Sequence, residues 1–288
     1  MLTAGLKIGE LGGESMIVEL DKSEFRKCRG LLHPEGQLEA KAIVEGMNPG
    51  RIFVDNRLQP KTGLIWLGNN DGFLFIGNED NESFNTYINH FIDSIITQEA
   101  KKVHLDCFEA IGNHNKWNEI IEEVFEHRGL GTWNQNIYLL KTEKYRSNSE
   151  PILKEGYEVV KIDETLFGNN GTINLDFLHA KVLEFWSSPE KFLEEGCGYC
   201  VVYRHEVVSI CFSGFVAGRV HGIAIETVEA HQGGKLAQKI AHQFVKDCLQ
   251  NYQLPYWDCM ESNKPSIAIA ENLGFEKMST YAGYEFSL

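Results

Sequence analysis

The sequence predicts an α/β (α+β) protein: a mixed, mostly antiparallel sheet flanked by helices, with the plan duplicated along the chain. Three features carry that expectation. β-rich runs come in threes, each trio is followed by a stretch of helical period, and one more strand follows in each half. The two halves also share Asp-Cys-x-Glu, at Asp106 to Glu109 and again 152 residues later at Asp258 to Glu261.

Taken in order, residues 1–15 hold no clear period, whereas Met16 opens MIVELDKSEF, a strand leading into a helix. Gly12-Gly13-Glu14 back-translates to a purine-rich ribosome-binding sequence, so 1–15 are read as a non-native leader and Met16 as the native start. Within 16–143, RIFVDN, TGLIWLG and GFLFIGN are expected strands, Ser83 to Ile96 a helix, and His104 to Glu109 a further strand. The polar stretch Lys141 to Gly156, with Pro151, separates the halves, and 144–156 is the expected linker.

In 157–288 a helix is expected from about Asn174 to Trp186, then a second with Ser188 as N-cap, Pro189 at its first position and Gly196 beyond its end. Gly198 to Val216 reads as a hairpin turning at Arg204-His205-Glu206, and His221 to Val228 as a third strand. Leu236, Ile240, Phe244 and Cys248 recur every four residues with Ala237, Ala241 and Val245 beside them, the stripe of an amphipathic helix. A strand from Pro255 to Met260 and a helix opened by Pro265 and closed by Gly274 complete the half.

Composition narrows the function classes. With 27 Lys and Arg against 41 Asp and Glu, the net charge is −14, which argues against a nucleic-acid partner. The chain is 43% hydrophobic and 24% charged, as in ordinary globular domains. No apolar run approaches the roughly 18 residues of a membrane span, and no secretory signal is visible, so no membrane partner is expected. Seven scattered cysteines read as reduced thiols of a cytoplasmic protein, and Cys197-Gly198-Tyr199-Cys200 lacks the second pair a zinc site needs, so no metal is expected.

The decisive difference between the halves follows each third strand. Glu79-Asp80-Asn81-Glu82 repels an anion, whereas Gln232-Gly233-Gly234-Lys235-Leu236-Ala237 offers backbone amides at a helix N-terminus. That spacing resembles the Q/R-x-x-G-x-G/A signature of the GNAT superfamily of acetyltransferases, with Gln232 first and Ala237 last. Asn263, Ser266 and Ala270, then Leu273-Gly274-Phe275, resemble the family's second motif, and the match covers about Leu175 to Glu276. Over the whole chain the sequence is similar to the subfamily typified by zwittermicin A resistance proteins, including Val54-Asp55-Asn56 and Pro60-Lys61.

The resemblance implies acetyl-CoA as co-substrate. The amides of Gly233, Gly234, Lys235, Leu236 and Ala237 would cradle its pyrophosphate, the strand bearing Ile225, Thr227 and Val228 would pair with its pantetheine arm, and Asn263 and Ser266 would line the thiol end. It further implies transfer to a small-molecule amine, an antibiotic or other polyamine-like acceptor, by direct attack, with 16–143 a degenerate copy. Two departures stand out. Lys235 occupies the family's inner glycine, and Ala270 the place of the usual proton-donating tyrosine, for which Tyr281 and Tyr284 are the candidate substitutes. An amine needs a general base, and His221 and Glu226 are the two candidates on the third strand. The alternative to an enzyme is a non-catalytic acyl-CoA-binding or interaction module.

Overall fold

The computed structural model describes residues 17–68, 72–168 and 173–288; the expected leader and Met16 lie outside the described residues. The first half runs β1 (Val18–Glu19), a 3-10 segment (Lys22–Leu31), α1 (Leu38–Glu45), β2 (Arg51–Val54), β3 (Thr62–Trp66) and β4 (Gly72–Gly77). It continues through α2 (Glu82–Phe91), a π turn (Ile92–Ile96), α3 (Thr97–Lys102), β5 (Cys107–Gly112), α4 (Lys116–Phe125) and β6 (Gly131–Leu139). The second half is β7 (Tyr157–Lys161), α5 (Glu164–Phe167), α6 (Asp176–Phe185), α7 (Pro189–Glu195), β8 (Gly198–Tyr203), β9 (Glu206–Ala217) and β10 (Val220–Thr227). After it come α8 (Leu236–Gln250), β11 (Leu254–Met260), α9 (Lys264–Leu273) and β12 (Glu276–Ser287). No helix among the described residues is long and apolar enough to cross a membrane.

Local chemistry sets the boundaries. Ser188 accepts the Lys191 amide proton at 3.2 Å and Pro189 follows, so α7 starts where its orphan amides find a partner. Arg204 (φ 49°) and His205 (φ 67°) form a two-residue turn with both residues left-handed, the geometry that matches the twist of β8 and β9. Gly274 ends α9 at φ +100°, where a Cβ would collide with the Lys144 carbonyl oxygen. The expected linker is tied to the second half: Glu150 pairs with Lys239 and Lys246 on α8, and Ser149 and Tyr145 bond His242.

The twelve strands among the described residues form one sheet in the order β1-β2-β3-β4-β5-β12-β6-β11-β10-β9-β8-β7, antiparallel except at β4–β5 and β10–β11. The order is a palindrome about the central pair. Each half's last strand has crossed to lie beside the other half's parallel strand, so β12 pairs with β5 and β6 with β11. The element order therefore repeats, but not in the register of the Asp-Cys-x-Glu match. The helix after the parallel strand begins at 116 in one half and 264 in the other, 148 apart, so the shared tetrapeptide falls four residues out of structural step.

Helices on both faces close four apolar clusters, two in each half. The clusters cross between halves: Tyr284 and Phe286 of β12 pack among Phe73, Phe108 and Phe125, and Phe215 and Tyr256 pack with α1. Asn48, 4% exposed, joins them further, donating to the carbonyls of Phe185 (3.0 Å) and Gly214 (2.8 Å) and accepting from the Val216 amide (2.9 Å). This arrangement places α1 of the first half against β9 and next to the opening in the second.

Candidate active site

The opening lies between β10 and β11. These parallel strands pair only at Val220 to Gly222, facing Leu254 to Tyr256, and a bulge between His221 and Ile223 marks where they part. Beyond it, Ile223 to Thr227 keep β9 on one side, and among the described residues no strand pairs with their other side. In the first half β4 and β5 stay paired from Gly72 to Phe75, and the Asn113 amide extends the ladder to the Phe75 carbonyl at 2.9 Å, which closes the corresponding gap.

The anion loop follows β10. Gln232 donates from Nε2 to the Thr227 carbonyl at 3.2 Å, tying the loop to the strand. Gly233 turns at φ +76°, and Lys235 sits at φ 59°, ψ 21° as the N-cap of α8 with no side-chain cap. Lys235 thus takes the left-handed conformation that a glycine holds without strain, so the loop keeps the path expected of a glycine there. The Lys235 carbonyl receives the Lys239 amide, while among the described residues no protein acceptor meets the amides of residues 233–237. Amides so placed suit a pyrophosphate.

A cleft of about 590 Å³ opens along this loop, lined by Ile225, Thr227, Gln232, Gly233, Lys235, Leu236, Ala237, Asn263 and Ser266 among others. Asn263 caps α9, its Oδ1 accepting from the Ser266 amide at 3.1 Å, and the Ser266 hydroxyl accepts from Trp257 Nε1 at 3.0 Å. Val228 and Gly234 complete the loop without lining the cleft. Fitting acetyl-CoA here needs amides for its diphosphate and an open strand edge for its amide arm, and both are present.

A second cavity of about 400 Å³ shares Ile225, Asn263 and Ser266 with the first and reaches through the splay toward the first half. Its walls include Glu39 of α1, Glu109 of β5, Gln135 of β6, Asp258 of β11 and Tyr281 of β12, over apolar Leu74, Ile111, Phe215 and Trp257. Burial, then the charge of Asp258, pushes Glu39 up to about 8, and burial raises Asp258 as well.

A family model described as GNAT acetyltransferase matches residues 29–284. The chain belongs to this family. It is 25% identical over 272 residues, 94% of its length and 98% of the relative's, to an uncharacterized N-acetyltransferase, YdfB, of Bacillus subtilis strain 168. Its fold is similar to that of a GCN5-related N-acetyltransferase-like protein from Streptococcus suis 89/1591, with TM-score 0.68, 21% identity, and 92% of this chain and 98% of that one covered. A tandem GNAT protein from the clavulanic acid biosynthesis pathway gives TM-score 0.54 at 12% identity, covering 94% and 98%. The protein is thus an acyltransferase of GNAT fold.

Against this GNAT frame the candidate acid–base residues separate. His221 is 2% exposed, its Nδ1 lies 2.9 Å from the Ser213 hydroxyl, and it lines neither cavity. Glu226 borders the cleft along the loop, but its carboxylate, 48% exposed, is ion-paired with Lys181 of α6 at 2.9 Å. Tyr284 is 3% exposed in the first-half core and donates to the exposed Glu122 of α4 at 2.8 Å. Tyr281 lines the inner cavity, and burial, then Asp258 and Glu39, raises its phenol so that it keeps its proton. Sequence reasoning missed Glu39 and Asp258. The one signal was Asp258 lying between the strand residues Trp257 and Cys259, which resembles any outward polar residue of an alternating strand.

Proposed function

We propose that this GNAT protein transfers the acetyl group of acetyl-CoA to an amine of a small molecule by direct attack, with no covalent enzyme intermediate. The observation that carries the reading is the meeting of the two cavities at Ile225, Asn263 and Ser266, which gives a donor and an acceptor opposite approaches to one point. The amides of Gly233, Gly234, Lys235, Leu236 and Ala237 hold the diphosphate, and the free edge of β10 from Ile225 through Thr227 to Val228 pairs with the amide arm. Amides of that edge also stabilise negative charge developing on the carbonyl oxygen. Residues 16–143 form the copy without an anion loop, 144–156 the linker and 157–288 the donor-binding domain.

Thermal unfolding with acetyl-CoA and with free CoA tests the reading, since a ligand at 100 times its Kd adds roughly 2.7 kcal/mol to native stability. Gly234→Glu is the control. Gly234 has ordinary backbone angles, and a Cβ added to it would meet no atom closer than 3.5 Å, so the added carboxylate opposes the diphosphate without straining the loop. A rise of several degrees, lost in that variant, supports donor binding on this loop. No rise at millimolar acetyl-CoA refutes it, and binding without turnover across an amine panel favours the non-catalytic module.

A further inference from the structure

We propose that Glu39, from the first half, and Asp258, from the second, form the carboxylate pair that receives the ammonium of a primary-amine acceptor and takes its proton. The inference rests on the acetyl-transfer reading and assigns the first half a share in the chemistry. Both carboxylates line the inner cavity, which Asn263 and Ser266 share with the cofactor cleft. Glu39 Oε2 is shut off from solvent with no hydrogen-bond partner among the described residues. The Trp133 indole N–H, on the lining of the same cavity, is also buried and unpartnered among the described residues. Buried polar groups left unpaired cost free energy, and two of them on one cavity wall mark a place for a polar ligand.

The character of that ligand follows from the lining. Asp258 accepts from Gln135 Nε2 at 3.1 Å, which leaves its carboxylate free to accept more, and the Glu39 oxygen requires a donor. An ammonium supplies three donors and the compensating charge. Leu74, Ile111, Phe215, Trp133 and Trp257 suit an apolar or aromatic body attached to it. Among the described groups, Lys41, Asp258, Tyr256, Tyr281 and Glu109 face or border Glu39, and Lys41 is directed to the Pro34 carbonyl at 2.8 Å rather than into the pair.

The proton balance is simple. The incoming R–NH3+ gives one proton to the pair, which frees the nitrogen lone pair; the C–N bond forms as the C–S bond breaks and the sulfur leaves with the bonding electrons. The nitrogen's second proton goes to that sulfur, and the pair returns its proton to solvent. Tyr281, protonated and on the same cavity wall, is placed to pass the second proton.

The test measures amine binding by calorimetry without any acetyl donor. 2-Phenylethylamine and 1,4-diaminobutane are the probes, and 2-phenylethanol is the neutral counterpart. At least one amine is expected to bind, the alcohol at least tenfold more weakly, and Glu39→Gln and Asp258→Asn are each expected to weaken amine binding at least tenfold while leaving the near-ultraviolet circular dichroism unchanged. Glu39→Asp is expected to restore part of the loss. Failure of both amines to bind, or equal binding by the Gln and Asn variants, overturns the assignment. In turnover, Asp258→Asn is expected to move the rising limb of kcat/KM to lower pH, because it removes a like charge beside Glu39, and an unmoved limb overturns the assignment of Glu39 as base. Amine binding that depends on Glu39 without an acetyl-CoA effect on unfolding would retain the amine site and remove the acetyl-transfer reading; the reverse pattern would do the opposite.

Discussion

Replacing Glu39 by Gln is expected to stabilise the protein, and increasingly so as pH rises. An unfolded glutamate ionises near the ordinary 4.5, while in the native cavity burial and the charge of Asp258 hold the proton up to about 8. Between those values the native state carries a proton that the unfolded state has lost, so stability falls as pH increases and the full cost is present above the native value. At about 1.4 kcal/mol per unit the interval sets an upper bound of about 5 kcal/mol, and water reaching the open side of the cavity reduces the expected effect to ~2 kcal/mol. Glutamine keeps the shape and never ionises. Urea unfolding of both proteins at pH 5, 7 and 8.5 measures the difference, which should be small at pH 5 and near its maximum at pH 8.5. A difference that is flat with pH, or that turns against the variant as pH rises, would refute the claim that this carboxyl is desolvated and unpaired.

Other outcomes follow from the same structure. Asn48→Ala removes three hydrogen bonds between the halves and is expected to cost ~3 kcal/mol in urea unfolding, with loss below 1 kcal/mol counting against their role. At Lys235, glycine is expected to leave stability within about 1 kcal/mol, relief of left-handed strain being offset by the freer unfolded chain, whereas valine should cost ~2 kcal/mol. Burial tends to raise the Glu150 carboxyl, but Lys239 and Lys246 outweigh it and hold the group down at about 2. Its contribution is therefore present above the ordinary value of 4.5 and lost as pH falls toward 2, so the stability gap between the wild type and Glu150→Gln should close over that interval in acid titrations followed by circular dichroism.

Local signals in the sequence were reliable where a side chain acts on its own neighbourhood. Ser188, Pro189 and Gly196 bound α7, the four-residue recurrence from Leu236 to Cys248 lies within α8, and the turn at Arg204-His205 joins β8 to β9, each as the residues foretell. The loop residues Gln232, Gly233 and Lys235 to Ala237 and the α9 cap at Asn263 also come together in one cleft. What the sequence did not disclose is non-local. The strands β6 and β12 went unread, the expected elements ending near Glu109 in the first half and at Gly274 in the second, and their exchange follows from pairings across the whole chain. For the same reason Glu39 reads as an ordinary acidic residue in the first turn of a helix, and Asp258 as the outward residue of a strand, until the exchange brings α1 and β11 to one cavity. His221 illustrates the converse: position on the strand suggested a base, but the bulge after it leaves the ring bonded to Ser213 in the interior.

The exchange of last strands also sets an order of events during synthesis. β5 leaves the ribosome with its outer edge bare, and the strand that covers it, β12, is made after nearly everything else in the chain. Throughout that time the first half carries an unpaired edge of the kind that recruits foreign strands, and closing it requires contact between residues as distant as Cys107 and Ser287. The nascent protein consequently depends on β12 to seal a sheet begun far earlier in the chain, so premature termination just short of β12 would harm the first half as much as the second.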